Sequence, residues 1–314
     1  MKPNPRSLLL ASIAAAALLH GGPAAATAVS VGGWTPLFQG VDLATATLAG
    51  SVASAARVDL TAPGIGFTTT PASGPLETTA QTTSQFLLSS GAQVAINADF
   101  FDPCCNAAPE PKNLEGLAIS NGSLVSPPSY GSAAGAAVLL ITQGNTATIG
   151  TLDSPGTVSL AGVSNAVSGS GEIVTAGANT ASRNPPGVGD PGGINPRTDV
   201  GVSADGRYLY LAVIDGRQPG YSLGVTDSDA ADLMLALGSS DALNLDGGGS
   251  SALVRADGGG GAVVINRPSG GAERYDGNNL GVFAAPLPVP EPGSAGLVGV
   301  AALCLLFVRR RVAR

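Results

Sequence analysis

Histidine is almost missing from this chain: one residue in 314, His20, inside an N-terminal apolar stretch. Without that stretch no imidazole remains. That excludes a Ser-His-Asp triad, a Cys-His pair and every zinc site that needs histidine. Cysteine is nearly as scarce. Cys304 lies in a C-terminal apolar stretch, which leaves Cys104 and Cys105, adjacent in Asp-Pro-Cys-Cys-Asn. Adjacent cysteines make a poor zinc site, because metal-binding pairs are spaced. They form either a vicinal disulfide, in an oxidising compartment, or two free thiols. Charge is sparse at 12% of residues, and between Val29 and Pro290 only nine basic residues stand against 21 acidic ones, a net −12. A phosphate backbone needs a basic surface, so nucleic acid is excluded as a partner. A hydrophobic fraction of 44% excludes a highly charged disordered chain. The 45 glycines and 23 prolines follow no triplet period, which excludes collagen.

What is present begins at the two ends. Lys2 and Arg6 precede an apolar run of 12 residues, Leu8 to Leu19, and a small-residue exit of Gly, Pro, Ala and Thr. That pattern predicts a signal peptide over residues 1–28, cut after Ala26 or Ala28. At the other end Val289-Pro290-Glu291-Pro292 leads into an apolar run from Ala295 to Val308 and then Arg309-Arg310-Arg311. The run is shorter than the roughly 20 residues of a full span, but small residues and snorkelling arginines can seat it as a short transmembrane helix. Terminal arginines point to a cytoplasmic C-terminus. The Pro-Glu-Pro triplet, short helix and arginine cluster of residues 287–314 resemble the PEP-CTERM sorting signal. The resemblance implies processing by signal peptidase and an exosortase, transient membrane association, and export from a Gram-negative bacterium to its periplasm, outer surface or exopolysaccharide matrix. A plain tail anchor is the alternative.

Between the ends, strands outnumber helices. Ala56 to Leu60, Val94 to Ile96, Leu117 to Ile119, Ala136 to Ile141, Asp199 to Ala204, Tyr208 to Ile214 and Ala242 to Leu245 read as strands. Ser251 to Arg255 and Ala262 to Asn266 read as a hairpin around Asp257 to Gly261. A short helix follows Thr82 and closes at Gly91. A second follows the N-cap Thr226, has Ala230, Leu233, Met234 and Leu237 on one face, and stops at Gly238. The Gly-, Pro- and Asn-rich residues 176–195 read as a long surface loop. These elements predict a single α+β domain over residues 29–286, strand-rich, with a mixed twisted sheet and a few short helices.

Polar residues at the ends of apolar strands are held rigidly and can point into a cleft. Four such places stand out: Asn97 and Asp99 after one strand, Arg197 before another, Asp215 and Arg217 after a third, and Asp246 after a fourth. Arginines can grip a phosphate in fork geometry. The Gly247-Gly248-Gly249-Ser250 backbone can offer N–H groups to an anion. Carboxylates can act as acid, base or nucleophile in cleaving a glycosidic bond.

Three blocks taken together carry a resemblance: Asn195-Pro196-Arg197-Thr198-Asp199-Val200-Gly201, Val213-Ile214-Asp215-Gly216-Arg217, and Asn244-Leu245-Asp246-Gly247-Gly248-Gly249-Ser250-Ser251. With Ala95-Ile96-Asn97-Ala98-Asp99-Phe100-Phe101 upstream, Ala166-Val167-Ser168-Gly169, and Asn266-Arg267-Pro268-Ser269, the chain from about 40 to 285 resembles the phosphodiester glycosidase family. That family is named for the enzyme removing N-acetylglucosamine from a sugar phosphodiester. The resemblance implies a hydrolase acting on a sugar-1-phosphodiester in envelope or exopolysaccharide material. Asp246 would be the central carboxylate and Asp215 its partner. Arg197 and Arg217 would hold the diester, and Asn97, Asp99 and the Gly247–Ser250 turn would orient sugar or phosphate. Ala98-Asp99 departs from the family's glycine pair, and Asn195 stands where histidine is frequent. Two other readings stay open. One is a non-catalytic exopolysaccharide-binding protein on the same fold. The other is a metal-dependent phosphodiesterase, with Asp99, Asp215 and Asp246 as oxygen ligands for Ca²⁺ or Mg²⁺.

Overall fold

The computed structural model describes residues 28–288, apart from 106–107, 130–135, 153, 157–158 and 185–188. The expected signal peptide and the expected sorting tail with its short helix lie outside the described residues. No helix among the described residues is long and apolar enough to cross a membrane.

The strand Tyr208–Ile214 shows how the architecture arises. Its residues alternate between two apolar environments. Leu209, Leu211 and Val213 enter one core cluster, and Tyr210, Ala212 and Ile214 enter another. A strand buried on both faces reads as an unbroken apolar run, because successive side chains point to opposite sides. The strand belongs to a nine-stranded sheet in which Val41–Leu48, Ser51–Asp59, Tyr208–Ile214, Arg197–Ser203, Ser239–Asn244 and Gly171–Thr175 lie side by side. The helix Asp227–Leu237 covers one face of this sheet. Two five-stranded sheets close the other face. One contributes Val94, Ile96, Leu253 and Leu280 to the shared core, and the other Ala137, Leu139, Ile141 and Val167. Each fully buried leucine in it contributes about 1.5–3 kcal/mol by leaving water.

Both helices are fixed by local chemistry. Thr82 and Thr226 each cap the first turn through a reciprocal capping box, with Gln85 and Asp229 respectively, while Gly91 and Gly238 end the helices in left-handed conformation.

The expected α+β class with a mixed sheet does not hold. The fold is mainly β, with two α-helices among the described residues, and every strand pairing there is antiparallel. The reason lies in one crossover. The helix Asp227–Leu237 carries the chain from Tyr208–Ile214 to Ser239–Asn244, but these two strands do not pair. Arg197–Ser203 lies between them, antiparallel to both. Several further strands, such as Val163–Gly169 and Ala147–Thr151, are mostly small or polar residues with only Val163, Val167 and Ile149 as larger apolar ones, so their sequence signal is weak.

Candidate active site

The strand Ser239–Asn244 ends where two sheets meet. Beyond it Leu245 donates its N–H to the Thr198 carbonyl (2.8 Å), Asp246 to Ala98 (2.9 Å) and Gly248 to Pro196 (2.9 Å). Asp246 is thereby stitched between the end of Val94–Asn97 and the start of Arg197–Ser203. Asn97, fully buried, holds it from behind. Its Nδ2 donates to the Asp246 carbonyl at 2.6 Å, while its Oδ1 accepts from Thr198 Oγ1 and the Ala252 N–H.

The three glycines after Asp246 are needed for close approach. A Cβ on Gly247 would stand 2.7 Å from the Pro196 carbonyl oxygen, and one on Gly249 would overlap the Arg274 guanidinium. Gly248 has φ +64°, and its missing side chain leaves room for Arg217. The anion nest expected here is not formed by the whole turn, since the Gly248 N–H is bonded to Pro196 and the Ser250 N–H to Gly247.

A cleft of about 400 Å³ opens over this turn, lined by Asp246, Gly247–Gly249, Arg197, Arg217, Arg274, Asn195, Phe100 and Cys105 among others. Ser250 lies beneath, donating its hydroxyl to Asp246 Oδ2 at 2.6 Å and accepting from Arg274 Nη1 at 3.3 Å. Burial pushes the Asp246 carboxyl up to about 6, against the smaller downward pull of Ser250 and Arg274. Asp276 lies close by and is 1% exposed. Burial first, and the charge of Asp246 second, hold its carboxyl well above the ordinary range. Neither of its oxygens has a hydrogen-bond partner among the described residues, although the Ser250 hydroxyl is near enough to favour its charged form.

The three arginines of the cleft differ in kind. Arg197 is 2% exposed; its guanidinium donates to the carbonyls of Val225, Gly189, Asp190 and Gly193 and lies 2.8 Å from the Asp227 carboxylate. It clamps the 189–193 segment to the start of the Asp227–Leu237 helix. Arg217 is exposed and gives only Nε and Nη2 to Asn195 Oδ1, at 3.3 and 2.8 Å. Arg274 donates to Ser250 Oγ through Nη1. Arg217 and Arg274 therefore keep donors for a ligand.

Four expected site residues do not line the cleft: Asn97 and Ser250 support Asp246 from within, and Asp215 and Asp99 are elsewhere. The Asp215 carboxylate accepts from Tyr221 Oη (2.9 Å), Asn266 Nδ2 (3.0 Å) and the Arg267 N–H (2.9 Å), which fixes the Asn266–Arg267 turn. Asp99 is buried, accepts from the Ser168 N–H at 3.0 Å and is held above the ordinary carboxylate range by burial. Asp99, Asp215 and Asp246 thus have separate partners, and no group of three or more His, Cys, Asp or Glu side chains among the described residues is placed to hold a metal. They do not fit the Ca²⁺ or Mg²⁺ reading.

Arg274 and Asp276 had a signal in the sequence: they are polar residues just before the apolar strand Asn279–Phe283. Phe100 follows Asp99 in the upstream segment. Cys104 and Cys105 form a disulfide.

Similar folds are known. The zebrafish N-acetylglucosamine-1-phosphodiester alpha-N-acetylglucosaminidase catalytic domain, in a structure auto-inhibited by its pro-peptide, is 18% identical with a TM-score of 0.55; the match covers 83% of this chain and 84% of that one. A hypothetical protein from Synechocystis is 16% identical with a TM-score of 0.54, over 80% of this chain and 64% of that one. No curated protein matches the sequence. Residues 90–283, well over half of the chain and spanning Asn97, Asp246 and Arg274, match the family described as Phosphodiester glycosidase. The chain belongs to the phosphodiester glycosidase family, whose activity is hydrolytic.

Proposed function

We propose that the protein is an exported hydrolase that cleaves the C–O bond between a sugar and the phosphate of a sugar-1-phosphodiester. One observation carries the reading. A carboxyl held up to about 6 sits in a cleft beside two arginines that retain free donors. In a domain of net charge −12 those cations are what admit an anionic substrate. Arg217 and Arg274 grip the diester. The leaving phosphomonoester departs as an anion, since even its second ionisation lies at about pH 6. It needs little help from a proton donor, so Asp246 works as a carboxylate, toward the anomeric carbon or its attacking water. Asp276 is the second carboxyl, buried behind the cleft, where burial and the charge of Asp246 favour its protonated form.

The deciding experiment presents sugar-1-phosphate diesters to the protein in isotopically labelled water, with and without chelator. Free sugar carrying the label, unaffected by chelator, is the expected product. Labelled phosphate would mean P–O cleavage, and no product would favour the binding protein.

Arg217→Ala is expected to raise KM for the diester roughly 10- to 150-fold, matching the loss of about 1.5–3 kcal/mol of charge-assisted hydrogen bonding. Its melting temperature should stay near wild type, because the residue is exposed. An unchanged KM would place the anion elsewhere.

Export rests on the basic-flanked apolar stretches at both ends of the chain. Mass spectrometry of protein isolated from its native envelope should find a new N-terminus near Thr27 or Val29 and no Arg309–Arg311 cluster. Intact Met1 to Leu19 would overturn it.

A further inference from the structure

A disulfide between neighbours is a poor staple. Cross-links stabilise mainly by closing loops in the unfolded chain, with a benefit that grows with loop length. The Cys104–Cys105 bond spans a sequence separation of 1. It fills no core either, for both residues are exposed. Yet the segment carrying it is firmly supported. Phe101–Asp102 pairs with Leu114 and Asn113 on the strand Pro111–Leu114. Lys112, wholly buried, donates from Nζ to the Pro103 carbonyl at 2.7 Å. The Glu115 N–H holds the Phe100 carbonyl at 2.8 Å.

That support presents sulfur and a phenyl ring to the cleft. Of the described residues that line it, Phe100, Cys105 and Pro196 alone offer apolar or sulfur surface; the others are charged, amide or glycine. A sugar-1-phosphodiester has two unlike parts. The phosphate calls for cations and the pyranose, on its C–H face, for a flat polarisable surface. We propose that Phe100 and the Cys104–Cys105 disulfide form the sugar-binding wall of the cleft, against which the C–H face of the pyranose packs. This rests on the glycosidase reading and deepens it. The arginines recognise what every diester shares, and this wall recognises the sugar. The cysteines take no part in bond cleavage, as the disulfide leaves neither with a thiolate.

Calorimetry on the full chain with two probes tests the wall without requiring turnover. N-acetylglucosamine 1-phosphate reports both parts of the site, and inorganic phosphate reports the arginines alone. The wild type should bind the sugar phosphate more tightly than phosphate. C104S/C105S and Phe100→Ala should each weaken the sugar phosphate roughly two- to tenfold, with phosphate affinity unchanged. Unaltered sugar-phosphate affinity in both variants would overturn the wall and leave the glycosidase reading standing. A parallel loss for both probes would show that the segment only supports the arginines, and would overturn it too. A wild type that binds neither probe would remove the glycosidase reading along with the wall.

Discussion

Asp246→Asn is expected to lower kcat by about 10²–10⁴, the usual contribution of a positioned acid or base, in a protein that remains folded. The change keeps the shape of the side chain and an acceptor for the Ser250 hydroxyl. It removes a charge that folding opposes. With the carboxyl raised from its ordinary 3.8 to about 6, the folded protein binds the proton more tightly than the unfolded chain. The native state therefore holds more protons between about pH 4 and 6, and stability falls as pH rises through that window. The fall amounts to at most about 3 kcal/mol for this group. The asparagine variant should lack it, so its melting temperature should equal or exceed wild type at pH 8, with the difference smaller at pH 5. In the wild type, kcat/KM should rise with pH through about 6 as Asp246 ionises. Kinetics and melts on the same preparations decide the matter. Near-normal turnover in a folded variant ends the catalytic assignment, and a lower melting temperature at pH 8 makes Asp246 a structural hold.

Replacing Arg197 should act on the other property. Arg197→Met keeps much of the volume but removes four hydrogen bonds to carbonyls and leaves Asp227 buried without its cation. Breaking one side of a buried pair costs about 3–5 kcal/mol. Burial already holds the Asp227 carboxyl at about 6, with Arg197 pulling it down. Without the arginine it rises further. Protonation then relieves the unpaired charge in acid, so the loss should be smaller at pH 5 than at pH 8. Arg197→Lys should also lose stability, because an ammonium cannot reach carbonyls spread around a planar fork. Urea unfolding at the two pH values measures this. Wild-type stability with a weakened grip on the diester would return Arg197 to the role that its place before an apolar strand suggests.

Local features of this protein were legible without the fold. Helix ends were, because a capping threonine, its partner three residues on and a terminating glycine act over a single turn. The strand Tyr208–Ile214 was, because its unbroken apolar run is written into consecutive residues. The scarcity of histidine and of cations narrowed the chemistry on composition alone, toward carboxylates such as Asp246 and toward arginine. Long-range choices were not legible. The strand that slips between Tyr208–Ile214 and Ser239–Asn244 makes the sheet antiparallel, and pairing depends on contacts far apart in the chain. The sorting of polar residues followed the same rule. Arg197 and Arg217 look alike in sequence and both border the cleft, yet the first spends its donors on carbonyls of its own fold and the second keeps donors free, because backbone oxygens carry no mark in the sequence. Asp215 and Asp276 were sorted in the same way: each is a carboxyl beside an apolar strand, and only tertiary packing ties the first to the Asn266–Arg267 turn and brings the second within reach of the Asp246 charge.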